Sequence, residues 1–280
     1  MAWLLTTPSS RGIGFALTRH LLRTTPASIP IVATTRSSDL KSTKEALLSD
    51  LNLPYDSSKA TSRLDVQTCD LLSESSIQAL IDYCKDRYQR KDRNTHNSPA
   101  HLRLGFCIPG LLHPEKAPTL IDYDKALDTL KLNLLTPMIL LKYLQPFLPK
   151  KSAKLQPIDG LPNAAVLAFM SARVGSISDN RLGGWYSYRA SKAGLNQLVK
   201  SADIYQKMQS TGNACVVGLH PGTVKTELSK EFWSNVKEGK LFTPEFSAER
   251  LCEVVKGLGG TDVEEFRGRC WDWEGKEIPP

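Results

Sequence analysis

The feature that most constrains the fold is a regular alternation of short apolar runs with longer stretches of helical periodicity. Apolar runs of strand length lie at 2–7, 29–35, 62–71, 102–110, 163–171 and 213–222, and FRGRCWDW near the end can add another. Helical patterns cover 14–23, 39–51, 73–88, 122–148, 186–209 and 248–257. Such alternation is typical of a parallel sheet covered by helices on both faces. The sequence predicts a doubly wound α/β fold with seven mainly parallel strands.

The chain shows no linker and no internal repeat, so one domain is expected over residues 1–280. Its apolar share of 41% is that of an ordinary folded protein. Pro137 lies inside the longest helical pattern and is expected to kink it. Two polar inserts, 89–101 and 149–163, fall between a helix and a strand and are expected to be surface loops.

Composition argues against several classes of protein. Six scattered cysteines form no CxxC pair, which argues against a disulfide framework or a zinc site and favours a reducing, cytoplasmic compartment. No apolar run is long enough to cross a bilayer. TRHLLRTTP has the arginine content of a transit peptide, but a first helix with a basic face is preferred. The net charge of +7 is spread along the chain, which favours a basic surface near an anionic cofactor over nucleic-acid binding. We expect no nucleic-acid, membrane or metal partner.

The stretch TTPSSRGIGFAL, residues 6–17, joins the first strand to the first helix. In a doubly wound sheet this turn lies at the carboxyl edge, where free N–H groups and the helix N-terminus favour phosphate. Gly12 and Gly14 permit close approach to a pyrophosphate, whereas Pro8 removes one donor. The predicted cofactor contacts here are Ser9, Ser10, Arg11, Gly12, Ile13 and Gly14.

The residue after the second strand predicts which dinucleotide binds. An acidic residue at this place would bind the ribose hydroxyls of NAD, and an arginine the 2′-phosphate of NADP. The stretch here is TTRSSD, with Arg36 directly after the strand. A guanidinium matches phosphate geometry, so NADP is favoured over NAD.

Tyr188 and Lys192 are four residues apart at the start of a predicted helix, so both project from one face. A nearby ammonium is expected to lower the pKa of a tyrosine by stabilising the phenolate. Such a tyrosine can give a proton to a carbonyl oxygen as hydride reaches the carbon.

With these motifs the chain resembles the short-chain dehydrogenases/reductases, a family with a Rossmann-type fold, and within them the carbonyl-reductase group that includes C-factor-like and sniffer-like proteins. The resemblance covers nearly the whole chain. It depends on SSRGIG (9–14), CDLLSESSI (69–77), CIPGLLHPEK (107–116), SARVGSISDNRLGGWYSYRASKAGLN (171–196), HPGTVKT (220–226) and GRCWDWEGKEIP (268–279), together with Asn133.

The resemblance implies a role for each matching residue. Tyr188 would donate the proton, and Lys192 would hold the nicotinamide ribose. Asn133 would anchor a water of the proton relay, and a serine near the end of the fifth strand would orient the substrate. The further cofactor contacts that it implies are Asp70, Leu71, Gly110, Pro221, Gly222, Val224 and Thr226.

The chain departs from the family pattern at three places. Pro8 replaces the first glycine of TGxxxGxG, and the NNAG motif reads CIPG at 107–110. Alignment on Gly175 places the usual catalytic serine at Ala172. Ser171 lies one residue earlier, and we favour it as the catalytic serine over Ser176.

The reaction implied is reduction of a ketone or aldehyde with NADPH, or the reverse oxidation. The segment 225–247 is expected to cover the substrate. Trp185 and Tyr186 either line the pocket or pack the helix start. His113 is expected to be a structural or rim residue rather than a second acid, and His220 a buried, hydrogen-bonded residue. A homodimer or homotetramer is expected through the helices at 122–148 and 186–209. The alternative function is a non-catalytic NADP-binding signalling or scaffold protein of the same fold.

Overall fold

The computed structural model describes residues 1–89, 100–258 and 263–280. The strands within these ranges are β1 (Ala2–Thr7), β2 (Ile31–Thr35), β3 (Leu64–Thr68), β4 (His101–Cys107), β5 (Ala165–Met170), β6 (Ala214–His220), β7 (Thr223–Val224), β8 (Leu241–Phe242), β9 (Cys270–Asp272) and β10 (Glu277–Ile278). Eight of them form one sheet in the order β10-β9-β6-β5-β4-β1-β2-β3, and β7 pairs with β8 apart from it.

The sheet confirms the predicted doubly wound architecture but has eight strands, so the prediction of seven is wrong. The extra strand, β10, is antiparallel to β9, whereas the other pairings in the sheet are parallel. A tight turn makes it: the Asp272 carboxylate accepts the backbone N–H groups of Glu274 and Lys276, and Gly275 has φ +78°. The end of the chain therefore folds back as a short hairpin.

Helices cover both faces of the sheet. They are α1 (Gly12–Thr24), α2 (Leu40–Leu48), α3 (Ser57–Arg63), α4 (Glu74–Tyr88), α5 (Tyr123–Leu130), α6 (Thr136–Leu144), α7 (Tyr186–Ser210), α8 (Pro244–Leu258) and α9 (Val263–Phe266). The sequence patterns did not predict α3, a short helix whose N-cap is Asp56. The predicted surface loop at 89–101 falls mostly outside the described residues.

The predicted long helix at 122–148 is interrupted rather than only kinked. A π-helical turn, Lys131–Leu135, separates α5 from α6, and a 3₁₀ turn, Gln145–Phe147, follows α6. Pro137 lies in the first turn of α6, where its missing N–H breaks the helical bonding pattern. The interruption places Asn133 in the π-helical turn.

Two apolar clusters fill the spaces between sheet and helices. One includes Leu4 and Leu17 and packs α1 and α8 against the sheet. The other includes Trp3 and Leu195 and packs α4, α6 and α7 on the opposite face. Both strand faces are apolar, as expected for a sheet buried on two sides.

The strand order places the functional crevice. β1 lies between β2 and β4 in the sheet, so the strand order reverses direction at β1. The connections that follow β1 and β4 therefore run to opposite sides of the sheet, and they leave a crevice at the carboxyl ends of these two strands. The first turn, the loop after β4 and the start of α7 meet at this edge. No helix in the described part of the chain is both long and apolar enough to cross a membrane.

Candidate active site

The turn between β1 and α1 fits closely against its neighbours. A Cβ built on Gly14 would lie 1.9 Å from the carbonyl oxygen of Pro8 and 2.8 Å from the side chain of Ile108. Gly12 has φ +58°, and a Cβ there would lie 3.3 Å from Thr226 Cγ2. The Thr7–Pro8 peptide is cis. Only glycine fits at position 14, and the turn lies beside the loop after β6.

The hydroxyl and guanidinium groups of the turn divide into an inner and an outer set. Ser9 is fully buried; its hydroxyl donates to Thr6 O at 2.6 Å and its N–H donates to Thr34 O at 2.7 Å. Ser10 and Arg11 are exposed. Ser9 therefore stabilises the turn from inside, and Ser10 and Arg11 are accessible to a ligand.

The ends of β2 and β3 carry the residues predicted for the adenosine half of the cofactor. Arg36 is exposed directly after β2. Asp70 is exposed after β3, where its carboxylate accepts Leu72 N–H at 3.0 Å, and Leu71 is buried. The Cys69 N–H donates to Thr35 O at 2.8 Å, so the two strand exits are held side by side.

Asn133 fixes the loop after β4. Its Oδ1 accepts Leu111 N–H at 2.8 Å, and its Nδ2 donates to Leu111 O at 2.7 Å and to Ser191 Oγ at 3.2 Å. Gly110 precedes this clamp, and a Cβ there would lie 3.1 Å from Leu228. The side chain of Asn133 thus joins the π-helical turn, the loop and α7.

Tyr188 and Lys192 lie one turn apart near the start of α7 and both are buried. The Lys192 ammonium lies 5.6 Å from the centroid of the Tyr188 ring and donates to Met170 O at 2.8 Å. A Cβ on Gly175 would lie 2.7 Å from the Lys192 backbone. The 3₁₀ turn Arg173–Gly175 after β5 therefore packs directly against the lysine.

Burial controls the titration of this pair. It raises the pKa of the Tyr188 hydroxyl to about 12 and lowers the pKa of the Lys192 ammonium to about 8. The predicted lowering of the tyrosine pKa is thus wrong for this arrangement. The reason is that loss of solvent disfavours the phenolate, while the ammonium is bonded to a backbone carbonyl.

The two serines considered for catalysis are both engaged elsewhere. Ser171 donates to Asn196 Oδ1 at 2.5 Å, two helical turns beyond Tyr188. Ser176 accepts Asp179 N–H at 3.0 Å and donates to Pro280 O at 3.3 Å. Ala172 occupies the aligned position and has no hydroxyl. The choice of Ser171 over Ser176 stays a prediction.

The loop after β6 carries the remaining predicted contacts. Pro221 O accepts the Ser247 hydroxyl at 3.0 Å, Val224 is buried, and Thr226 donates to Val224 O at 3.4 Å. Gly222 has φ +76°, and a Cβ there would lie 2.6 Å from Phe242. The segment 225–247 is thereby held against the sheet edge.

Two aromatic side chains, Trp185 and Phe232, form a row beside the tyrosine, and Trp185 is the one in contact with it. The Trp185 ring lies 6.1 Å from the Tyr188 ring, edge to face, and 4.9 Å from that of Phe232. Phe232 belongs to the 3₁₀ stretch Glu227–Asn235, within the segment 225–247. Trp185 thus connects the helix start to that segment.

The two histidines near the site differ from each other. His113 is partly exposed in the loop after β4. His220 is buried at its Nδ1, which has no hydrogen-bond partner among the described residues, so the predicted hydrogen bond is absent at that atom. Burial lowers the pKa of His220 to about 4, which leaves the ring neutral at physiological pH.

Sequence reasoning missed one residue of this site. Glu115 lies in LLHPEK after β4 and is 4% exposed. Its carboxylate accepts the Ser187 hydroxyl and the Ser187 N–H. A lone acid in a polar stretch gives no sequence signal, because only the fold shows that it is buried against α7.

Comparisons with known proteins extend the likeness beyond motifs. No protein-family model matches the chain. The chain is 28% identical to 1-hydroxy-2-glutathionyl-2-methyl-3-butene dehydrogenase of Rhodococcus sp. (strain AD45) over 189 residues, 68% of this chain and 70% of that protein. It is 30% identical to C-signal of Myxococcus xanthus over 161 residues, 57% of this chain and 81% of that protein.

Two solved structures share the whole architecture. The NADPH-bound carbonyl reductase from chicken fatty liver has a TM-score of 0.76 and 23% identity, covering 100% of this chain and 99% of its own. The carbonyl reductase Sniffer of D. melanogaster has a TM-score of 0.75 and 25% identity, with the same coverage. The full-length match shows that the sheet and the helices that cover it follow one common fold.

Proposed function

The chain belongs to the short-chain dehydrogenase/reductase family, and from that premise we propose that it reduces a ketone or aldehyde with NADPH, with Tyr188 as the proton donor. The observation that carries the proposal is the buried pair of Tyr188 and Lys192 at the carboxyl edge of the sheet. The same edge holds a glycine turn with no room for a side chain at Gly14.

The residues at this edge fit a dinucleotide. Gly110 is exposed and Gly12 is half-buried, and neither carries a side chain, so the backbone can approach a ligand closely at both places. Exposed Arg11 and Arg36 supply two guanidinium groups beside the turn, and in the described residues no acid directly follows β2. We therefore assign the 2′-phosphate of NADP to Arg36 and Arg11. NADPH, when bound, supplies the hydride.

The Tyr188 phenol supplies the proton. Because burial raises its pKa to about 12, it is protonated at neutral pH. That is the form needed for reduction: the O–H bond breaks as the substrate oxygen takes the proton, and the phenolate is afterwards reprotonated from water. Positioned proton transfer of this kind contributes about 10²–10⁴-fold to rate.

Lys192 and Asn133 support the transfer. The Lys192 ammonium has spare donors beyond its bond to Met170, and we assign these to the nicotinamide ribose. In an α-helix the N–H of residue 137 would bond the carbonyl of Asn133, but Pro137 has none. That carbonyl cannot make the ordinary α-helical bond, and we propose for Asn133 the water-anchoring role that the family resemblance implies.

The covering segment, 225–247, is proposed to close over the substrate. Leu228 approaches Gly110, and Phe232 packs on Trp185 beside the tyrosine. The substrate would thus meet apolar and aromatic surfaces, which favours a hydrophobic carbonyl compound. We propose that this segment and the sheet form one NADP-binding domain over 1–280.

Ser171 can act as the catalytic serine only if its hydroxyl changes its hydrogen-bond partner. For Ser171 to orient a carbonyl, its hydroxyl must first leave Asn196. Until it does, Tyr188 is the hydroxyl that polarises the substrate, and turnover is expected to be slow. This predicts that variants at Asn196 change the rate.

NADPH consumption against a panel of aldehydes, diketones and cyclic ketones, with NADH in parallel, tests the proposal. Turnover that prefers NADPH supports it. Tight NADPH binding without turnover on any substrate would instead favour a non-catalytic NADP-binding signalling or scaffold protein. The engaged serines are the observation behind that second candidate. Absence of binding by either cofactor would contradict both.

We also propose a cytoplasmic homodimer or homotetramer. Exposed apolar side chains lie on the two helical regions predicted as interfaces: Leu130, Leu135 and Met138 near α5 and α6, and Ile204, Tyr205 and Met208 on α7. Sedimentation at several protein concentrations, with Ile204→Lys as the disrupting variant, tests it. A monomer at every concentration would contradict it.

A further inference from the structure

The start of α7 lacks a cap from its own sequence. Its N-cap residue is Trp185, which has no capping side chain and has φ 52°, in the left-handed region. That conformation is unfavourable for a bulky residue. The first N–H groups of a helix also need acceptors that the helix itself does not supply. Something outside α7 must therefore hold this turn, three residues before the tyrosine.

Glu115 holds it. The carboxylate Oε1 accepts the Ser187 hydroxyl and, at 3.4 Å, the Ser187 N–H. The Glu115 backbone carbonyl accepts the Trp185 N–H at 2.7 Å. One residue of the loop after β4 thus bonds the residues before and after Tyr186, and all three hydrogen bonds fall within the turn that leads into Tyr188.

The second carboxylate oxygen of Glu115 indicates why a glutamate stands at this position. Glu115 Oε2 is buried and has no hydrogen-bond partner among the described residues. A buried carboxylate with an unpaired oxygen is costly. An apolar residue at this position would fill the space without the cost of an unpaired oxygen. The carboxylate is explained instead by the helix cap, which needs only the one oxygen that accepts from Ser187.

We propose, on the basis of the proposed reductase function, that Glu115 is a positioning residue for Tyr188. It fixes the left-handed Trp185 and the first turn of α7, and thereby the place from which the phenol reaches the substrate oxygen. Misplacement by about 1 Å can cost about 10²-fold in rate. Glu115 itself takes no part in proton transfer.

The variants Glu115→Ala and Glu115→Gln test the proposal. Alanine removes the cap, and kcat should fall at least about tenfold while the Kd for NADPH stays within about twofold of wild type. Glutamine keeps an acceptor for Ser187 and puts its amide nitrogen where no bond exists, so it should restore most of kcat. A glutamine variant as slow as alanine would overturn the positional role and indicate that the charge matters.

A control separates positioning from general stability. Leu80→Ala removes a buried side chain of α4 from the apolar cluster that includes Trp3. If Glu115→Ala loses no more kcat than Leu80→Ala at an equal drop in melting temperature, the proposal is overturned. Parallel weakening of NADPH binding in Glu115→Ala would also overturn it.

Hydrogen exchange gives a readout independent of turnover. In Glu115→Ala, a peptide covering 185–196 should exchange faster than in wild type. In Leu80→Ala, the exchange of this peptide should increase no more than that of peptides from other helices. Unchanged exchange in this peptide would overturn the proposal. If wild type turns over no carbonyl, the reductase proposal fails, and the exchange result alone decides whether Glu115 fixes the start of α7.

Discussion

Replacing Gly14 by alanine tests whether the turn between β1 and α1 contributes to NADPH binding. The added Cβ would lie 1.9 Å from the Pro8 carbonyl oxygen, 3.0 Å from its carbonyl carbon and 2.8 Å from Ile108. Close carbon–oxygen contacts in proteins lie at about 3.3–3.6 Å, so the backbone must move by roughly 1.4 Å or more. Since the obstacle is mostly backbone, rotation of a side chain cannot relieve it.

The cost follows from that displacement. Overpacking of this kind costs about 1–3 kcal/mol of stability. The moved turn would also lose its alignment with the cofactor phosphates. If a similar free energy is lost from binding, the Kd for NADPH rises about 5–150-fold.

Calorimetry and NADPH titration measure both effects. Gly212→Ala is the matched control, because Gly212 has no positive φ and a Cβ there meets nothing within 4 Å. The control should bind NADPH as wild type does. Wild-type affinity in Gly14→Ala would refute the assignment of this turn to the cofactor, whatever its melting temperature.

Three further predictions concern the remaining assignments. Arg36→Ala should weaken NADPH binding at least about tenfold and leave NADH unaffected, since it removes a charge-assisted phosphate contact; equal effects on both cofactors would remove Arg36 from the 2′-phosphate. Ser171→Ala should lower kcat while Ser176→Ala does not, as steady-state kinetics will show, and the opposite order would exchange their roles. Lys192 has its pKa lowered to about 8 in the fold, against 10.5 for the free group, so the unfolded chain binds more protons between these values and stability should rise from pH 8 to 10. Urea unfolding of Lys192→Met should lack that rise, and a rise retained in the variant would assign it to another group.

The sheet could be predicted because parallel strands buried on both faces give nearly continuous apolar runs. The runs at 2–7, 163–171 and 213–222 match β1, β5 and β6 to within two residues at either end. β10 has only two residues and depends on a turn around Asp272, so no periodicity indicated it. The π-helical turn was missed because Pro137 marks a break in a helix but does not specify its geometry.

The position of the candidate site residues in the fold could be predicted where a motif requires one residue type. Gly14 lies where the backbone leaves no room for a side chain, and Tyr188 and Lys192 are four residues apart, which places both on one face of a helix. The pKa of Tyr188 was not predictable, because it depends on burial and on where the Lys192 ammonium bonds. Glu115 was missed for the same reason: its role comes from contacts across the fold.

The rate of NADPH-dependent carbonyl reduction by Tyr188→Phe, compared with wild type, tests the central claim most directly. Phenylalanine keeps the ring that packs against Trp185 and removes only the proton donor. The account predicts a loss of about 10²–10⁴-fold in kcat with NADPH affinity retained. Turnover within threefold of wild type, on the order of 0.6 kcal/mol in barrier, would contradict it.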